Sequence, residues 1–133
     1  MRVQNNVTKT RHFSSGKVFE ITESDFYNVI ENEARPVLVD FWADWCEPCA
    51  FQAEILDKLA KLAGDAILIL KIHVDDAKSL GRKYEIYNIP TLLLFNNGQR
   101  EATLIGVQSL KELLLTIKPC VDEVIKKSEI KLA

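Results

Sequence analysis

The segment Val37-Leu38-Val39-Asp40-Phe41-Trp42 limits what this chain can fold into more than any other. Side chains of a strand alternate between two faces, and here both faces are apolar apart from Asp40, so neither can be left in water. A strand of this kind belongs in the middle of a sheet with helices packed on each side. Asp40 is the exception, and a buried carboxylate is costly enough to call for a partner or a function.

The flanking sequence supplies the covering layers. Val18 to Ile21 reads as a short strand, and Thr22-x-x-Asp25 as a capping box that opens a helix with Phe26, Val29 and Ile30 on one face. A second helix is expected from about Cys46 to Ala63, with Phe51, Ile55, Leu59 and Leu62 at helical spacing and Gly64 as its stop. Residues 66–74 read as another buried strand and 77–84 as a short helix. Thr91 to Phe95 and Glu101 to Ile105 flank Asn96-Asn97-Gly98-Gln99, a hairpin turn signal. Ser109 caps a last helix whose buried side is Leu110, Leu113, Leu114 and Ile117. Helices crossing between strands, with a closing hairpin, give an α/β fold in which a central mixed β-sheet is flanked by helices on both faces. A length of 133 residues, 47% of them hydrophobic, suits one core. The expected organisation is a flexible leader over 1–15, a single domain over 16–127 and a C-terminal tail over 128–133.

The chemistry concentrates in Trp45-Cys46-Glu47-Pro48-Cys49, directly behind the apolar strand. Proline is tolerated only in the first turn of a helix, so Pro48 places Cys46 at the helix start, where free N–H groups and the macrodipole favour a thiolate. Cys46 is the exposed nucleophile candidate, and Cys49, one turn on and on the same face, is the sheltered resolving thiol. The rival is half of a zinc site. It needs two more ligands, and only Cys120, His12 and His73 are on offer, with no second Cys pair or His pair at ligand spacing, so no metal is expected. Asp40 is a candidate proton acceptor for Cys49, its pKa raised by burial, with Lys71 on the neighbouring strand as its partner. A structural Asp40–Lys71 ion pair explains the same two residues equally well. Cys120 reads as a buried small hydrophobe.

The region resembles the thioredoxin family, and the likeness extends well beyond the two cysteines. Val39-Asp40-Phe41-Trp42-Ala43-Asp44-Trp45-Cys46, Lys71, Ile89-Pro90-Thr91, Phe95-Asn96-Asn97-Gly98 and Ile105-Gly106-Val107 all fall where that family's pattern puts them, over roughly 17–118. The resemblance implies a thioredoxin fold and a protein disulfide reductase working through a redox-active Cys46–Cys49 disulfide with no bound cofactor. It tilts Asp40 toward the catalytic role. It also implies a cis bond before Pro90, where an unbiased reading expects trans. Trp45, Ile89, Pro90, Ile105, Gly106 and Val107 then form an apolar platform for substrate around Cys46. The implied partners are an electron donor of the thioredoxin reductase type and proteins carrying disulfides.

The chain departs from the commonest family motif at Glu47, which stands where glycine is usual. With Asp40, Asp44, Glu54 and Asp57 it makes an acidic stretch free of Lys and Arg between Pro36 and Asp57. Acidic neighbours disfavour a thiolate, so Glu47, beside Pro48, is expected to tune the redox couple. Alternatively Glu47 simply complements the helix dipole. A net charge of −2 leaves no footprint for nucleic acid or an anionic membrane. The polar first residues lack the apolar core of a secretory signal, and a cytoplasmic monomer is the expectation. Two further readings stay open: a thioredoxin-like binding or assembly module with an incidental Cys pair, and a thiol oxidase or isomerase.

Overall fold

The computed structural model describes Phe13 and residues 16–132, with side chains as far as Glu123. Five strands and four helices follow one another as β1 (Val18–Glu20), α1 (Glu23–Asn32), β2 (Val37–Trp42), α2 (Glu47–Ala63), β3 (Leu68–His73), α3 (Lys78–Lys83), β4 (Thr91–Asn96), β5 (Gln99–Ile105) and α4 (Leu110–Leu132). The sheet order is β1-β3-β2-β4-β5. β1, β3 and β2 run parallel, and β4 and β5 antiparallel to their neighbours. This is the mixed α/β sheet that the sequence predicts.

β2 lies at the centre, and Val37 to Phe41 are all buried. Val37, Val39 and Phe41 face the core built with Phe26, Val29 and Ile30 of α1 and Leu80 of α3. Leu38 faces the second core, with Leu56 and Leu59 of α2 and Leu113 and Ile117 of α4. By strand alternation Asp40 shares the face of Leu38, beneath α2. The sheet therefore delivers a carboxylate to the underside of the helix that begins at the cysteines.

The hairpin turn forms as expected, with Asn97 and Gly98 both at positive φ, 55° and 77°. That conformation suits asparagine and glycine and matches the twist of the two strands. Ser109 and Glu112 form a reciprocal cap, the Glu112 N–H donating to Ser109 Oγ (3.1 Å) and the Ser109 N–H to Glu112 Oε1 (2.8 Å).

Several expectations are corrected. Thr22 precedes α1, but its hydroxyl donates to the Asp25 carboxylate (3.2 Å) instead of capping a backbone N–H. Phe51 and Leu62 of α2, and Leu114 of α4, are exposed. The buried face of α2 is Cys49, Gln52, Leu56, Leu59 and Ala60, and the packing of Leu56, Leu59 and Ala60 into the second core sets the phase of the helix. Phe13, assigned to a flexible leader, is buried in the first core and meets the Phe19 ring edge-on at 5.0 Å. The rest of that leader, residues 1–12, 14 and 15, lies outside the described residues. At the other end α4 passes through the expected boundary at 127 and on to Leu132, with Pro119 inside it.

Candidate functional site

Cys46 is the N-cap of α2, in extended conformation, and its Sγ accepts the Cys49 N–H at 3.3 Å. Pro48 lies in the first helical turn, where its missing N–H costs nothing. Cys46 and Cys49 are joined as a disulfide with Cα atoms 5.3 Å apart. A zinc site would need the same two sulfurs. They are bonded to each other, and among the described residues no group of three or more His, Cys, Asp or Glu could hold a metal. His12 lies outside the described residues.

The expected contrast in exposure between the two sulfurs is small. Cys46 is 8% exposed and Cys49 3%, because Cys46 sits in a pocket with Ala43, Trp42, Val74 and Ile89 around the pair. The Ile89–Pro90 bond is cis, and the Ile89 carbonyl oxygen lies 3.8 Å from Cys46 Sγ. Gly106, at φ 87°, donates its N–H to the Pro90 carbonyl at 2.8 Å. The loop carrying Ile105 and Val107, both exposed, is thereby held beside the cis proline. Trp45 is 67% exposed, its indole N–H donating to Asp75 Oδ2 at 3.0 Å. Ile89 thus lies at Cys46, Gly106 is tied to Pro90 next to it, and Trp45 is held through Asp75.

Asp40 is 2% exposed and pairs in register with Lys71 on β3. Burial pushes its pKa up to about 7, with the Lys71 charge pulling the other way. Lys71 makes no close ion pair with it; the ammonium sits 4.7 Å over the Trp42 ring. Among the described residues Asp40 Oδ1 has no hydrogen-bond partner. It lines a cavity of about 120 Å³ together with Cys46, Cys49, Trp42, Ala53 and Lys71. Such a space is roomy enough for water to link carboxyl and sulfur. A satisfied structural ion pair would bring the two side chains within bonding distance, so the geometry departs from that reading.

Two residues at the site have no motif in the sequence. Gln52, fully buried on α2, donates from Nε2 to the Gln108 carbonyl (3.1 Å) and accepts the Gln108 N–H at Oε1 (2.7 Å), clasping the Gly106 loop to the active-site helix. Its signal was available as a polar residue one turn after Cys49 on the same face. His73, at the end of β3, bonds Asp44 just ahead of Trp45; nothing in the sequence joins residues so far apart. Glu47 points to solvent in the first turn of α2.

The comparisons with known proteins agree with this geometry. The thioredoxin family model matches residues 17–119. The chain belongs to the thioredoxin family. A thioredoxin from Haemophilus influenzae is 42% identical over 90 residues, covering 68% of this chain and 84% of that protein. One from Rickettsia prowazekii is 39% identical over 97 residues, covering 73% and 92%. A bifunctional thioredoxin reductase/thioredoxin from Mycobacterium leprae is 33% identical over 101 residues, 76% of this chain and 22% of that protein. Among solved structures, a mutant thioredoxin from Halobacterium salinarum superposes with a TM-score of 0.74 at 27% identity, covering 84% of this chain and 96% of that one. The sheet and helix arrangement is the thioredoxin fold, and the chain is a thiol–disulfide oxidoreductase. No helix among the described residues is long and apolar enough to cross a membrane.

The buried carboxyl makes stability depend on pH in a defined direction. Asp40 holds its proton more tightly folded than unfolded, so between pH 3.8 and about 7 unfolding releases a proton and stability falls as pH rises. Above about 7 the loss levels off, at about 4 kcal/mol if the full difference is realised. Urea unfolding of the oxidised protein should therefore find Asp40→Asn more stable than wild type by ~2–4 kcal/mol near pH 8 and nearly equal to it near pH 4. A constant difference between the two proteins across that range would mean that Asp40 is ionised throughout.

Proposed function

We propose that this thioredoxin reduces disulfides in other proteins, with Cys46 as nucleophile and Cys49 as resolving thiol; the observation that carries this is the Cys46–Cys49 disulfide at the start of α2. In the reduced protein the Cys46 thiolate attacks one sulfur of the substrate disulfide, the substrate S–S bond breaks, and the departing sulfur leaves as a thiolate. Asp40, ionised at that stage, takes the proton of Cys49 through the cavity they share. The Cys49 thiolate then attacks Cys46, releasing the second substrate sulfur. The chain ends oxidised, and the substrate has gained two electrons and, from solvent and Asp40, two protons. Lys71 limits how far burial raises the Asp40 pKa and so keeps it near neutrality.

An extended substrate segment would lie across Trp45, Ile89, Pro90, Ile105, Gly106 and Val107, reading backbone more than side chains. The reacting groups are the chain's own thiols, so no separate cofactor is required. The reductase fused to the Mycobacterium leprae relative supports an electron donor of the thioredoxin reductase type. We place the protein as a cytoplasmic monomer, with neither nucleic acid nor membrane as partner. The acidic surroundings of Cys46 favour a reductase over an oxidase, whose thiolate must be strongly stabilised.

Insulin disulfide reduction with dithiothreitol tests the reading. Wild type should turn over, Cys46→Ser should be inactive, and Cys49→Ser should accumulate as a mixed disulfide through Cys46, visible by mass spectrometry. Turnover by Cys46→Ser, or trapping through Cys49 instead, would reverse the assignment, and inertness of wild type would favour a binding module.

Glu47 is exposed, and an exposed charge contact is worth at most about 1 kcal/mol and is screened by salt. Removing it should stabilise the Cys46 thiolate slightly and with it the reduced form. Since about 30 mV corresponds to a tenfold change in equilibrium constant, Glu47→Gly is expected to make the potential less negative by on the order of 10 mV at low salt. An unchanged or more negative potential would leave Glu47 as a residue that complements the helix dipole.

A further inference from the structure

His73 joins two segments that the disulfide chemistry depends on. Its Nε2 lies 3.0 Å from Asp44 Oδ1, on the loop that leads into Trp45 and Cys46. Its Nδ1 lies 3.2 Å from the backbone N–H of Asp75, the residue whose carboxylate holds the Trp45 indole at 3.0 Å. The ring also meets Trp42 edge-on at 4.9 Å. These contacts define the neutral tautomer: Nε2–H donates to the Asp44 carboxylate and Nδ1 accepts from Asp75. The Asp44 N–H, 3.4 Å from the same Nε2, is then a packing contact and not a second bond.

We propose that His73 is a positioning residue for disulfide exchange, holding the Asp44-Trp45-Cys46 approach and the Trp45 indole in place while its ring is neutral and loosening the indole when the ring is protonated. The proposal rests on the reading of Cys46 as nucleophile and adds to it a residue that touches neither sulfur nor substrate. Protonation turns Nδ1 into a donor, so the Asp75 N–H loses its acceptor. The same Nδ1 lies 3.9 Å from Asp75 Oδ2, the oxygen that accepts the Trp45 indole. The imidazolium and the indole then compete for one carboxylate oxygen.

The charged groups facing His73 are Asp44 from the loop after β2, Asp75 and Asp76 from the turn after β3, and Lys71 two residues back along β3 with its ammonium over Trp42. The acids outnumber the lysine. The hydrogen bond to Asp44 contributes most, and the His73 pKa lies above its ordinary 6.5. Asp44, reciprocally, is held below the usual carboxylate range by His73. The change therefore falls on the neutral side of ordinary histidine behaviour, where small shifts in pH alter the population.

The test is a pH titration of the reduced protein by NMR, following the indole N–H of Trp45, assigned by its loss in Trp45→Phe, beside the ring protons of His73. The indole resonance is expected to move with the same midpoint as His73, above 6.5, and to lose that inflection in His73→Gln. Asp44→Asn should carry both midpoints downward together, so the test survives if His73→Gln fails to fold. In insulin reduction the ratio of wild-type to His73→Gln rates should rise by roughly two- to tenfold from below the midpoint to above it, as expected for one hydrogen bond gained. An indole resonance that stays still while His73 titrates, or a rate ratio that is flat with pH, would overturn the proposal. Loss of insulin reduction in wild type would remove the nucleophile assignment while leaving the NMR titration intact, so the two can fail separately.

Discussion

The junction between β2 and α2 is the constraint on which the rest depends. β2 is covered on both faces, so its end is fixed in space by two cores at once, and a short loop carries the chain from it into a helix whose N-cap is Cys46. A helix N-terminus offers unpaired N–H groups and the positive end of the dipole, and one of those donors is already committed to sulfur. Cys49 then lies one turn on, facing inward, because the helix must pack Leu56 and Leu59 against the sheet. The two cysteines differ by position in one turn, and the position is set by packing far from either.

The same packing produces the buried carboxyl. Strand alternation puts Asp40 under α2, and the doubly covered sheet denies it water. Lys71 is its neighbour in register, yet the ammonium rests on the Trp42 ring, so the two charges act through space without neutralising each other. A direct ion pair would fix Asp40 as a permanent anion. Held as it is, the carboxyl can exist in either form near neutral pH, the condition that proton transfer with a thiol requires.

Local chemistry made some of this legible and tertiary structure made the rest. The cysteine pair, Pro48, the doubly apolar strand and the Asn97-Gly98 turn carry their geometry in their own residue types, and each forms as read. The face of α2 does not follow from periodicity alone, since Phe51, Ile55 and Leu62 keep helical spacing as well as the residues that are buried; the packing of Leu56 and Leu59 into the second core selects between the two phases. Phe13 reads as leader in the sequence because its neighbours are polar, and its partner Phe19 lies on a strand that sequence cannot pair with it. Gln52 and His73 act on residues far away in the chain, so their roles exist only once the sheet has brought the loops together.

Burial holds the Asp40 carboxyl poised between its two forms beside the cysteine pair, and the proposed proton transfer with Cys49 stands or falls with that poise. Carbon-13 NMR of the oxidised protein labelled at aspartate carboxyls reads it directly, with Asp40 assigned by its absence in Asp40→Asn. One aspartate is expected to titrate with a midpoint of about 7, and it should be Asp40. An Asp40 carboxyl that titrates near the ordinary 3.8 would contradict this, for that group would be an anion at every pH where the protein works.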